Sequence, residues 1–243
     1  KKYMMLRTIK KPFSYLVPAF GFPSTVLITD MSGKQIKMLA DLPSAETAPS
    51  GNDNVQNVAR GFEWRDDEAA TAVWCMPLDS GLIKNKVDFH DVVYSLNAPF
   101  TGQPKELFKT EMRYRFTNWG NSTIALVNEG LTGKQLTRTN RYNPSTGQME
   151  KLTERNTTDN YSNPGTPVTE KNQFGSDVIK VIDNGNKLLM NNTTGASPKG
   201  DLPFLAIFDL NTKKSDIIWR SDEDHFESVV RVLNPDKLEI LTR

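Results

Sequence analysis

Arg60, Arg65, Arg113, Arg115, Arg138, Arg141 and Arg155 crowd the middle of this chain. A guanidinium is a planar fork that grips a carboxylate through two parallel N–H donors, so an acidic ligand is the chemistry such a group suits. Each of these arginines also has the ordinary reading of a surface salt bridge. Arg138 and Arg113 are the two taken forward as substrate contacts. Tyr161 is a third candidate, because it lies in the Pro- and Gly-rich stretch D-N-Y-S-N-P-G-T-P-V-T-E-K-N-Q-F-G from Asp159 to Gly175.

Other chemistries lack their parts. A nucleophile elbow needs G-x-S-x-G, and the sequence has none. Its two histidines, His90 and His225, sit in D-F-H-D and D-E-D-H-F, which read as polar connections with solvated or turn-capping side chains. Two His and one Cys do not make a zinc site. The acidic runs Asp66 to Glu68 and Asp222 to Asp224 lack the alternation of a calcium loop and read as solvated turns. Leu131 to Gln135 (L-T-G-K-Q) echoes the end of a phosphate loop without its glycine spacing. No catalytic residue, metal ligand or cofactor site is assigned. The sequons at Asn121, Asn156, Asn160, Asn191 and Asn192 are what an Asn- and Thr-rich chain yields by chance.

Composition narrows the partners. With 243 residues, 37% hydrophobic residues and a net charge of +1, the chain holds a core but no concentrated positive face. Nucleic acid and acidic membrane are therefore poor partners. The single cysteine, Cys75, lies in an apolar run and reads as a small buried hydrophobe. No apolar run reaches the roughly 18–20 residues of a membrane span. The opening K-K-Y-M-M-L-R-T-I-K-K is basic but has no signal-peptide core, and reads as a chain entered partway through a longer protein.

The elements that position these residues are strands. Helical periodicity is almost absent, and short β-rich runs bounded by Asn, Asp, Gly and Pro recur instead. They include Val26 to Thr29, Thr71 to Met76, Val92 to Leu96, Ile124 to Val127, Arg138 to Tyr142, Val178 to Ile182, Phe204 to Phe208 and Val229 to Leu233. Two hairpin types alternate. One turns near Asp66, Gly120, Asn184 and Pro235, at intervals of about 50–65 residues, a period that points to blades. The other has a strand ending in Asp or Asn, then a polar turn with Gly or Lys.

The pattern predicts an all-β fold, a β-propeller of four-stranded antiparallel blades. Whole blades are expected at about 60–110, 112–155 and 175–221, with half blades at 12–43 and 225–243. That makes an arc of about four blades from a larger ring, with exposed edges suited to self-association. An irregular β-sandwich is the bland alternative. The Asp159–Gly175 stretch, with two prolines, is expected to be an ordered crossover between blades with a tight turn at Pro164-Gly165.

Several stretches resemble one family. N-P-S-T-G-Q-M-E-K-L-T (143–153) resembles the last hairpin of blades in peptidase propellers. W-R-D-D-E (64–68), W-G-N-S (119–122) and N-P-D-K (234–237) resemble their S-P-D-G-like turns. P-F-S-Y-L-V-P-A-F-G-F-P-S-T-V-L-I-T-D (12–30), Y-S-N-P-G-T-P (161–167) and K-Q-L-T-R-T (134–139) are similar to the propeller of prolyl oligopeptidase family serine peptidases. The branch is the one with plant chloroplast glutamyl endopeptidases and bacterial dipeptidyl or acylaminoacyl peptidase-like relatives. The resemblance implies a propeller seated on a C-terminal α/β-hydrolase domain that carries Ser, Asp and His, none of which maps to this chain. It implies a peptide substrate, gated and positioned by the propeller. It also implies a cation for a substrate carboxylate, for which Arg138 or Arg113 is the choice. The paired glutamates of the aminopeptidase members have no equivalent here. A bacterial periplasm or envelope location follows from the resemblance alone. The rival reading is a stand-alone propeller that binds a protein or glycan without catalysis.

Overall fold

The computed structural model describes residues 2–234, 237 and 239–243. Of the sequence expectations, Lys1 of the basic start, Pro235 and Asp236 of the N-P-D-K turn, and Leu238 of the last strand lie outside the described residues. The all-β class is what the chain adopts. Among the described residues there is no α-helix, only single 3₁₀ turns at Ala19–Gly21, Ala45–Thr47, Thr132–Lys134 and Asp183–Gly185.

Strands β1 (Tyr3–Ile9), β2 (Ser24–Asp30) and β3 (Gln35–Leu42) form an antiparallel sheet in chain order. Strands β4 (Arg60–Trp64), β5 (Thr71–Pro77), β6 (Asp91–Asn97) and β7 (Lys105–Thr110) make a four-stranded antiparallel meander. A second four-stranded sheet contains β8 (Arg113–Asn121), β9 (Ile124–Leu131), β10 (Leu136–Tyr142) and β11 (Met149–Asn156), in the order β11-β10-β9-β8.

The next segment is more broken. It runs through β12 (Thr166–Pro167), β13 (Thr169–Lys171), β14 (Asp177–Ile179), β15 (Val181–Ile182), β16 (Lys187–Asn192), β17 (Ala196–Ser197), β18 (Gly200–Asp201), β19 (Phe204–Asp209) and β20 (Ser215–Arg220). Its main sheet is β12-β16-β19-β20, with β15 also on β16; β13-β14 and β17-β18 are small hairpins. The chain ends in a hairpin of β21 (Val229–Asn234) and β22 (Glu239–Thr242). Successive four-stranded sheets of this kind are blades of β-propeller type.

Burial explains why these residues are strands. β5 (T-A-V-W-C-M-P) and β6 (D-V-V-Y-S-L-N) are buried on nearly every residue, as central strands covered on both faces must be. The outer strand β7 exposes Lys105 and Glu106 and buries Phe108 and Thr110. The hairpin ends also have a cause. A strand-ending Asp or Asn turns its side chain back onto the N–H groups that follow. Asp30 accepts from the N–H of Ser32 at 2.9 Å and Lys34 at 3.0 Å. Asn143 accepts from Ser145 at 3.0 Å, and Asp209 from Asn211 at 2.9 Å and Thr212 at 2.8 Å.

Two compact units result. One comprises residues 1–116 and 128–134, the other 117–127 and 135–243. The first has a core of Ile28, Ala72, Trp74, Leu96 and Phe100. In the second, one cluster gathers Ile124, Leu126, Leu152, Leu188 and Phe208, and another joins Leu189, Leu205 and Val229.

Two segments differ from expectation. Tyr3–Ile9, within the basic start, is a strand in full register with β2; its alternation is masked by flanking lysines. The Asp159–Gly175 stretch is not only a crossover, because Thr166–Pro167 pairs with Met190 and Asn191 at the edge of a sheet. An edge position leaves the proline without a ladder bond to supply. Hydrogen-bonded turns lie at Asn160–Asn163 and Asn172–Gly175. Gly165 has φ +90°, and a Cβ there would stand 2.6 Å from the Asn191 carbonyl oxygen, so this glycine serves a close approach to β16.

Candidate functional site

A groove of about 900 Å³ opens in the first unit, bordered by β1, the 3₁₀ turn at Ala19–Gly21, residues 42–58 and β4. Both β1 and β4 are edges of their sheets. Met5, Phe20, Phe22, Val58, Phe62 and Trp64 give it an apolar wall. Three ionisable side chains line it: Arg7, Arg60 and Glu63. Apolar concavities with a few fixed polar groups are the usual form of a small ligand site.

Local sequence sets the wall. Gly61 has φ +65°, and the register of β4 on β5 slips between Arg60 and Glu63. Such a bulge re-aims the side chains beside it. The loop wall is fixed by Gly81 (φ +81°), where a Cβ would stand 2.0 Å from the Val55 carbonyl oxygen. Val55 N–H donates to the Gly81 carbonyl at 2.9 Å, and Ile83 N–H to Asn54 Oδ1 at 3.0 Å.

Arg60 also joins a buried charge cluster through Asp91. Arg113 is 1% exposed. Its guanidinium donates to Asp79 Oδ2 at 2.6 Å, Asp91 Oδ1 at 3.1 Å, the His90 carbonyl at 3.2 Å and the Asp53 carbonyl at 2.7 Å. Asp91 also accepts the Tyr114 N–H at 2.8 Å and pairs with Arg60 Nη2. His90 Nδ1 lies 2.7 Å from Asp79 Oδ2. Asp53 takes the N–H groups of Thr132 and Gly133, both at 2.8 Å, and Arg115 Nη2 at 3.1 Å.

These contacts shift carboxyls in readable directions. Burial pushes Asp79 up, but the Arg113 and His90 hydrogen bonds outweigh it and hold the group below the ordinary range. Asp53 is likewise lowered: burial opposes, and the Gly133 and Thr132 N–H groups with the Arg115 charge prevail. Glu63 moves the other way. Burial raises it, the Tyr114 hydroxyl at 3.2 Å opposes, and the nearby Asp66 charge adds to the rise. Burial pushes the Cys75 thiol up to about 12, which keeps it inert.

The sequence candidates fall in different places. Arg113 is in the first unit, with its guanidinium already bound to four acceptors. Arg138 and Tyr161 belong to the second. Arg138 faces Glu154 across β10 and β11 and bonds it through Nε at 2.6 Å. Tyr161 is 70% exposed on the Asp159–Asn163 turn. Arg60, one of the seven arginines weighed from sequence, is the one that lines the groove. Arg7 was not singled out, because its strand was not recognised.

Two sequence readings are corrected. His90 is not solvated, since its side chain is 13% exposed against the fully buried Asp79. His225 fits the solvated reading, exposed and capping with Asp222. The Asp66 to Glu68 turn is not merely solvated: Arg65 bonds Asp67 through Nε at 2.7 Å and Nη2 at 2.9 Å, and Glu68 through Nη1 at 3.0 Å. The physical reason is shared. A carboxylate that leaves water must find a cation or N–H groups, and here the next arginine is already at hand.

Fold and site define a class: an all-β protein with four-stranded blades of propeller type and an arginine-bearing groove. Within that class, homologues named "Probable glutamyl endopeptidase, chloroplastic" cover nearly the whole chain. The relative from Oryza sativa subsp. japonica is 36% identical over 256 residues, taking in 99% of this chain and 27% of its own length. The one from Arabidopsis thaliana is 35% identical over 245 residues, taking in 97% of this chain and 25% of its own. The chain thus spans about a quarter of the curated relatives it matches. No family model matches it. Among solved structures, an oligogalacturonate lyase in complex with manganese aligns with TM-score 0.43 and 14% identity over 83% of this chain and 43% of that one. Tricorn protease aligns with TM-score 0.40 and 9% identity over 94% of this chain and 18% of that one. Likeness at that level bears on no activity.

Proposed function

We propose that this chain is a non-catalytic propeller segment of a serine peptidase, gating and positioning peptides for a C-terminal α/β-hydrolase domain of the parent protein. The similarity of 35–36% over 97–99% of the chain to proteins named glutamyl endopeptidase carries the reading. The sequence supports it by having no G-x-S-x-G of its own. On this reading the partners are the peptide, the hydrolase domain and, along exposed strand edges, further blades or a second copy. Arg138 holds the substrate carboxylate, exchanging Glu154 for the ligand, and Tyr161 is an accessible flank. Arg113 serves by keeping the strand ends of the first unit in place.

The test is a peptidase assay of the intact parent, wild type and Arg138→Ala, on short glutamyl peptides, their glutaminyl counterparts and folded proteins. Gating predicts cleavage of the short peptides and little of the folded proteins. The Arg138 role predicts about a tenfold greater loss of kcat/KM on glutamyl than on glutaminyl peptides. A parent without a nucleophile-elbow domain overturns the peptidase reading. An equal loss on both peptides leaves Arg138 a packing role.

A further inference from the structure

The sheet of β1, β2 and β3 has three strands among the described residues, where β4–β7 and β8–β11 have four each. Turn chemistry says which position is open. The Asp30 turn joins β2 to β3, and the matching Asn143 and Asp209 turns join the third strand to the fourth in their sheets. By that correspondence β2 and β3 are third and fourth strands, β1 is a second strand, and a first strand belongs on its free edge. Burial agrees. The second strands β5 and β9 are buried at nearly every residue. β1 carries Tyr3, Met4, Met5, Leu6 and Ile9 and fully buries none of them; Leu6 is 41% exposed and Ile9 46%.

The groove runs along this free edge. Successive strand residues face opposite sides of a sheet. A cavity lined by three consecutive residues of β1 (Met5, Leu6 and Arg7) and by all five of β4 therefore lies beside two backbone edges and not over a face. Tyr3–Ile9 makes no backbone hydrogen bond except to β2 among the described residues. We propose that the groove seats a β-strand of the parent chain, the segment directly ahead of β1, paired antiparallel to β1 as the first strand of its blade. The proposal rests on the reading of this chain as part of a longer parent, which its span of about a quarter of the relatives supports. The connection sets the segment. First and second strands are joined by residues 65–70 between β4 and β5 and by 122–123 between β8 and β9. A link of that length puts the occupant within a few residues of Tyr3. Its chemistry follows from the other first strands. β4 (R-G-F-E-W) and β8 (R-Y-R-F-T-N-W-G-N) each begin with Arg and carry Phe and Trp. A strand of that kind supplies the unpaired edge of β1 with hydrogen bonds and covers the apolar wall of Met5, Phe62 and Trp64.

Hydrogen–deuterium exchange across residues 3–9 tests this in three proteins. They are the 243-residue chain, the same chain extended by about 15 residues of the parent ahead of it, enough for one strand and its turn, and the intact parent. An antiparallel edge strand pairs alternate N–H groups only, so about half of the β1 amides should exchange fast in the 243-residue chain. In the extended chain and the intact parent these amides should slow by about tenfold or more. A proline placed in the middle of the added strand should return them to fast exchange, because it removes a ladder donor. Fast exchange in all three proteins overturns the proposal. So does protection in the intact parent without protection in the extended chain, which would give the groove to another part of the parent. Protection in the 243-residue chain that grows with its concentration would give the edge to a second copy, and also overturns it. Exchange does not depend on catalysis. A parent that cleaves no peptide but protects β1 removes the peptidase reading and leaves the strand in place.

Discussion

The two compact units use charge differently. The first has exposed pairs such as Lys109–Glu106 but also an interior cluster: the side chains of Asp79 and Asp91 are 0% exposed and that of Arg113 is 2% exposed. In the second, Lys171–Asp177 and Lys199–Glu223 are pairs with every side chain more than half exposed. The second unit is held by its aliphatic and aromatic clusters instead. Buried charges are directional where apolar packing is not, so the first unit fixes the starts of β4, β6 and β8 against one another. Those starts carry Arg60, Asp91 and Arg113. The unit with the costly interior is the one whose groove is lined by Arg7, Arg60 and Glu63.

Arg113→Ala breaks that contrast most severely. It removes the guanidinium that two buried aspartates share, leaving Asp91 with Arg60 and Asp79 with His90, and removing one partner of a buried pair destabilises by about 3–5 kcal/mol. Urea denaturation should show the loss. Hydrogen exchange should place it in residues 60–116, with the strands around Leu188 and Leu205 protected as before. Uniform loss of protection across both units would mean that they do not differ in the way described.

Acid offers a reversible version. Asp79 and Asp53 titrate below their ordinary value of 3.8 in the folded chain. Their stabilisation is therefore complete above that value and disappears as pH falls through the lower folded values. These two groups should leave stability flat from pH 7 to about 5, and below about pH 4 the first unit should open before the second. Asp79→Asn should be less stable at neutral pH and lose less on acidification. The same slope in that variant as in the wild type would assign the acid sensitivity elsewhere.

How much of this was legible differs by level. The strands Thr71 to Met76 and Val92 to Leu96 were readable because a fully buried strand is a continuous apolar run. The hairpins ending in Asp30, Asn143 and Asp209 were readable because Asx turns use fixed residue types. The strand Tyr3–Ile9 was not, since Lys2, Arg7, Lys10 and Lys11 hide its alternation. The charge cluster was less legible still. Arg113 and Asp53 are sixty residues apart, and Arg60 and Asp91 thirty-one. No local spacing announces such a pair; only the return of strands to one end of a sheet brings it together. A count of arginines does not separate the buried Arg113 from the partly exposed Arg60.

The smallest effect sharpens the contrast from the other side. Lys171 and Asp177 face each other across β13 and β14 at 2.7 Å, close to the 2.6 Å of Arg113 on Asp79. Geometry alone would rank the two contacts together. Water ranks them apart, because exposed pairs are screened and must hold two long side chains still, leaving less than about 1 kcal/mol. Lys171→Ala should therefore shift the urea midpoint by an amount near the error of the measurement, and less again in high salt. A loss approaching that of Arg113→Ala would show that solvent exposure does not govern the worth of charge in this fold. The distinction between the two units would then have to rest on their apolar cores alone.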